Sequence, residues 1–148
     1  MQETKMTAGG GFQNAECLVA LVEDGAEDAA AFRRVMADEG HVVVWPSGEH
    51  AVEALTSGDL RPDELSMLVV DMNLPGIDGV AVIRAVRAMP GGSYPAIFAL
   101  SSQTGDEIVA RAMAAGADDY IEKPPSLAGL RAVVQQLVSI ADDRHPSD

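Results

Sequence analysis

The chain has a single cysteine, Cys17, so no disulfide can form within it, and at 148 residues it is long enough to rely on a buried core instead. Basic residues are scarce: 10 lysines and arginines face 23 aspartates and glutamates, a formal net charge of −13. A surface of that sign repels a phosphate backbone or an anionic bilayer at long range, which argues against nucleic acid and membrane as partners of this domain. No apolar run approaches the length of a membrane span, and no signal peptide is expected from the polar amino end. A soluble protein of a reducing compartment, the cytoplasm, is expected. The three histidines, His41, His50 and His145, lack metal-ligand spacing and have no nucleophile nearby, so they read as surface or strand-start residues. A phosphate-cradling glycine loop is missing too. Glu23-Asp24-Gly25 is acidic where such loops offer bare backbone amides, which argues against flavin, nicotinamide or ATP at that edge.

What the chain does have is a regular alternation of short apolar runs and helical patterns. Residues 1–15 are polar, contain Gly9-Gly10-Gly11 and read as a flexible tail. Strands are expected near 17–22, 42–45, 66–70, 96–100 and 119–122, and helices near 26–38, 48–57, 79–88, 105–115 and 126–140. Gly40, Ser57-Gly58, Pro90-Gly91-Gly92 and Gly116 stand where the first four helices must stop. Phe32, Val35 and Met36 form one apolar stripe, and Leu127, Leu130, Val134, Leu137 and Val138 another, as core-facing helices require. Trp45, closing the second strand, reads as a packing residue.

Strands joined by helical crossovers run parallel, and right-handed crossovers leave few topologies. The expected fold is therefore a three-layer, doubly wound α/β sandwich, (βα)5, with a parallel five-stranded sheet of order 2-1-3-4-5. The domain spans 16–141, and 142–148 read as a polar tail without a second domain, so any output is expected to be by contact.

Open α/β sheets do their chemistry at the carboxyl ends of their strands, at the switch point of strand order. Asp71 closes the third apolar run and is followed at once by Leu74-Pro75-Gly76-Ile77-Asp78-Gly79. Glu23 and Asp24 close the first run, which lies beside the third in this order. Converging carboxylates imply a hard cation. Ser101 follows the fourth strand, and Lys123 follows the fifth.

These positions, in this order, resemble the receiver domain of two-component response regulators, from about Glu16 to Ile140. The resemblance implies that Asp71 is a phosphoacceptor and that Glu23, Asp24, Asp71 and the backbone carbonyl of Asn73 hold Mg²⁺. It further implies that Lys123 pairs with Asp71 at rest and with the phosphoryl group afterwards, and that Ser101 and Tyr120 form the switch pair. The donor would be a phosphohistidine on a sensor histidine kinase or a histidine phosphotransfer protein, in a bacterial two-component or phosphorelay system. A downstream target would read the face of the fourth helix, fifth strand and fifth helix. Asn73 and Gln103 match positions that flank the hydrolytic water, so they help set the lifetime of the loaded state. Lys-Pro in this family commonly holds a cis peptide, which makes one plausible at Lys123-Pro124. Ala26, Ala29, Ala30 and Arg33 would face outward on the first helix, a patch for the donor.

Bland readings stand beside these. Asp71 is also a natural turn-capping residue, Glu23 and Asp24 are natural first-turn acids, and Tyr120 is a natural packing residue. A relative that kept the fold but lost the chemistry usually lacks an acid or the lysine, and this chain has all of them. A phosphatase of the haloacid-dehalogenase type needs a second aspartate two residues after the nucleophile, where this chain has Asn73.

Overall fold

The structure, a computed structural model, describes residues 17–102 and 105–145. The expected tail and Gln103 lie outside the described residues. The elements follow one another as β1 (Leu18–Val22), α1 (Ala26–Met36), β2 (His41–Trp45), α2 (Gly48–Thr56), a 3-10 turn (Pro62–Glu64), β3 (Met67–Asp71), α3 (Gly79–Ala88), β4 (Ala96–Ser101), α4 (Asp106–Ala115), β5 (Asp119–Glu122) and α5 (Leu127–Arg144). The sheet is five-stranded and parallel, in the order β2-β1-β3-β4-β5.

Each central strand is apolar throughout because both of its faces are covered. Leu68 and Val70 of β3 join Ala20, Val22, Ile97 and Ala99 in the core beneath α2, α3 and α4. Met67 and Val69 point the other way, with Val19, Leu21, Phe98 and Leu100, onto α1 and α5. Phe32, Val35 and Met36 are buried there as their spacing requires, and Trp45 is buried in the first cluster.

Helix starts are fixed by local chemistry. The side chains of Ser47, Asp78 and Ser126 accept from the backbone N–H groups of His50, Ala81 and Gly129, which satisfies an orphan donor at the start of α2, α3 and α5. Gly40 does not adopt a left-handed conformation. It is needed for another reason: a β-carbon there would lie 2.8 Å from Cys17 Cβ and Sγ.

The last helix is longer than its apolar stripe suggests. It runs to Arg144, four residues past the expected end at 140, so residues 142–144 are helix and not tail. Arg144 explains the extension: its guanidinium donates to Asp118 Oδ1 at 2.6 Å and to the carbonyls of Ser93 and Tyr94. Next to it His145, expected as a plain surface residue, stacks on Tyr94 with ring centroids 4.1 Å apart. Arg87 reinforces the same end of the sheet, donating to Gly92 O, Pro95 O and Gly116 O and to Asp118 Oδ2. Among the described residues no helix is long and apolar enough to cross a membrane.

Candidate functional site

β1 and β3 are neighbours, so the residues that end them meet at one edge. Asp71 is the last residue of β3, and Glu23 and Asp24 follow β1 directly. One carboxylate oxygen from each of the three lies within 4.8 Å of the others. Glu23 and Asp71 are buried, at 4% and 2% exposure, whereas Asp24 is exposed. An all-oxygen, multiply charged donor set of this kind suits a hard divalent cation.

Lys123 is the cationic counterpart. It follows β5, and its backbone N–H donates to Ser101 O at 2.7 Å. Its ammonium lies 3.2 Å from Asp71 Oδ2, 3.3 Å from Glu23 Oε1 and 3.2 Å from Asp28 Oδ2. The Lys123-Pro124 peptide is trans, not cis. The amine is aimed inward by the carboxylates it meets.

Protonation follows from this crowding. Burial first, and then the neighbouring Asp71, push the Glu23 carboxyl up to about 7, against which Gly25 N–H and Lys123 act only in part. Burial alone would lower the pKa of Lys123, but Glu23, Asp71 and Asp28 outweigh it and hold it above the ordinary lysine range.

The loop after β3 is held on both sides. Asn73 N–H donates to Asp71 Oδ1 at 2.9 Å, which sets the Asn73 peptide beside the carboxylate, and the Asn73 amide donates to Ser102 Oγ at 3.1 Å. Farther along, Glu49 of α2 accepts from Ile77 N–H. Gly76 has φ +75°, a conformation that favours glycine, and a β-carbon there would push the Glu49 carboxylate off the Ile77 N–H.

Ser101 is fully buried at the end of β4. Tyr120 of β5 is half-buried against the core on the α4 side. Of the outward patch expected on α1, Ala26, Ala30 and Arg33 are exposed, but Ala29 packs partly against the core.

Sequence reasoning missed two residues. Asp28 reads as an ordinary first-turn acid, and only its place one turn beyond Asp24 hints that it faces the same edge. Glu49 likewise reads as a dipole-favoured acid of α2.

The comparisons with known proteins agree with this geometry. Residues 19–135 match the response regulator receiver domain. The transcriptional regulatory protein PrrA of Mycobacterium tuberculosis is 34% identical over 121 residues, 81% of this chain and 49% of that protein. The chain thus spans about half the length of this curated relative. Among solved structures, the phosphorylated cyanobacterial phytochrome response regulator RcpA superposes with a TM-score of 0.75 at 22% identity, covering 90% of this chain and 97% of that one. The chemotaxis response regulator CheY4 of Vibrio cholerae gives 0.70 at 22% identity, covering 83% and 99%. Sheet order, strand-end acids and sequence match agree, and the chain belongs to the response regulator receiver domains, the signalling switches of two-component systems.

Proposed function

We propose that this domain accepts a phosphoryl group on Asp71 from a phosphohistidine of a sensor histidine kinase or histidine phosphotransfer protein. The observation that carries the reading is the meeting of Glu23, Asp24 and Asp71 within 4.8 Å, with Lys123 3.2 Å from Asp71. In this reading Glu23, Asp24, Asp71 and the Asn73 carbonyl hold Mg²⁺, and their oxygen chemistry fits that ion. Bound there, the ion neutralises charge on the phosphoryl oxygens.

A carboxylate oxygen of Asp71 attacks phosphorus, the P–N bond to the donor imidazole breaks, and the imidazole leaves with that electron pair. The product is an acyl phosphate. Lys123 then serves as the point charge for a phosphoryl oxygen, and the Ser101 hydroxyl donates to another. Water later cleaves the acyl phosphate to the Asp71 carboxylate and inorganic phosphate. Asn73 and Gln103 occupy the two positions that help set the lifetime of the loaded state in this family and do so here, and the Asn73 amide donates to Ser102 Oγ.

The added charge biases an existing equilibrium between two conformations, with Tyr120 following Ser101. A target protein reads the change on the face of α4, β5 and α5, where Met113 is exposed. The donor docks on α1 around Ala26, Ala30 and Arg33. The domain works in the cytoplasm and acts on no separate substrate.

Incubation with acetyl phosphate and Mg²⁺, followed by intact-mass measurement, tests this reading. A Mg²⁺-dependent gain of one phosphoryl group that Asp71→Asn abolishes is expected. An unchanged mass, together with no binding of beryllofluoride, would leave only a constitutive interaction domain.

A further inference from the structure

The Lys123 ammonium has three protons to donate, and three carboxylates surround it. Two of them, Glu23 and Asp71, have side chains only 3% exposed and belong to the cation-binding edge. The third, Asp28, is 61% exposed and sits on α1, 95 residues away in sequence. Asp28 and Lys123 line one cleft of about 170 Å³ between α1 and the connection from β5 to α5, together with Phe32, Leu100, Leu127 and Leu130. The pair thus ties α1 to the loop that carries the lysine.

The three contacts are not equivalent once the site is loaded. A cation held by Glu23, Asp24 and Asp71 would offset the charge of Glu23 and Asp71, and a phosphoryl group on Asp71 would then draw the ammonium. Asp28 is no part of the cation-binding cluster, so a cation held there would leave its contact with Lys123 in place. The ammonium sits on a flexible four-carbon stem and follows whichever anion attracts it more strongly.

Resting on the function proposed above, we infer that Asp28 is a positioning residue that holds Lys123 toward α1 and competes with the phosphoryl group for its ammonium. Asp28 thereby weakens the loaded state. The α1 contact also gives whatever docks there a means of altering the lysine's position.

The test is a beryllofluoride titration in saturating Mg²⁺, followed by Trp45 fluorescence, with each variant's thermal midpoint as the folding control. Asp28→Asn is expected to bind beryllofluoride about two- to fivefold more tightly, the range that an exposed ion pair supports. Asp28→Glu, which keeps the pairing, is expected to stay close to wild type. In a Lys123→Ala background the Asp28→Asn gain is expected to vanish, because Asp28 acts through the lysine. Glu27→Gln removes the same charge from the neighbouring exposed position and is expected to change the affinity less than Asp28→Asn. No gain in Asp28→Asn, or an equal gain in the Lys123→Ala background or in Glu27→Gln, overturns the inference in favour of no role or of plain charge repulsion. If folded wild type binds no beryllofluoride, the proposed function falls, and this inference falls with it.

Discussion

Asp71→Asn removes one negative charge from a buried corner while keeping the side chain's size, and in metal-free buffer that exchange is expected to stabilise the protein. Asp71 is 2% exposed and lies within 4.8 Å of carboxylate oxygens of both Glu23 and Asp24. At an effective dielectric near 20, each of those like-charge pairs costs about 3.5 kcal/mol when ionised. Lys123, 3.2 Å away, returns about 5 kcal/mol by the same rule. Repulsion therefore exceeds attraction by about 2 kcal/mol, and the desolvation of a buried carboxylate has the same sign. Asparagine keeps an oxygen for the Asn73 N–H, so the local hydrogen bond survives. The assay is thermal or urea unfolding at pH 8 in a chelator, where Glu23 is ionised. A gain of about 2 kcal/mol corresponds to a midpoint rise of about 4–8 °C in a chain of this length. Adding Mg²⁺ stabilises wild type by about 2.7 kcal/mol at a hundredfold excess over its Kd, and the variant by less, so the two approach or exchange order. A variant less stable than wild type at pH 8 without metal would refute the reasoning.

Three further outcomes are expected. Glu23 has a folded pKa of about 7 against an ordinary 4.5, so the folded state holds its proton more tightly; the resulting stability is fully present below about 4.5 and is lost as pH rises through 7. Unfolding free energies from metal-free urea curves are expected to fall by at most about 3 kcal/mol from pH 5 to 8 through this group, and Glu23→Gln is expected to flatten the slope; a slope unchanged in that variant refutes the assignment. Gly76→Ala forces a β-carbon into the Glu49 carboxylate at a positive φ, and is expected to cost about 1–3 kcal/mol in equilibrium unfolding, part of which the double variant with Glu49→Ala recovers. Arg87→Ala removes the donor to three backbone carbonyls and one of the two cations on Asp118, which keeps Arg144, so a loss of about 2–4 kcal/mol is expected, and one below about 0.5 kcal/mol would count against the network.

The strands were legible because burial on both faces leaves a continuous apolar run, as at 67–70, and strand-end acids announce the edge at which they meet. Contacts between distant surface residues leave no such mark. Asp28 looks like any dipole-favoured acid until the loop carrying Lys123 is brought beside it, 95 positions later in the chain. The end of α5 was hidden for a related reason. Asp142, Asp143 and Arg144 extend no apolar stripe, and the helix is held there by a polar fork from Arg144 to Asp118 and two carbonyls. Gly40 shows the converse. Its position at a helix end was legible, but its purpose is contact with Cys17 and not a left-handed turn.

That cysteine has a practical consequence. Cys17 is the chain's single thiol, 2% exposed, and burial pushes its pKa up to about 12. At neutral pH it is almost wholly protonated and shielded, so maleimide dyes react with it slowly. The native chain therefore serves as its own blank for spectroscopic labelling. A cysteine introduced at exposed Met113 would take a dye selectively, and motion of α4 could be followed without altering the core.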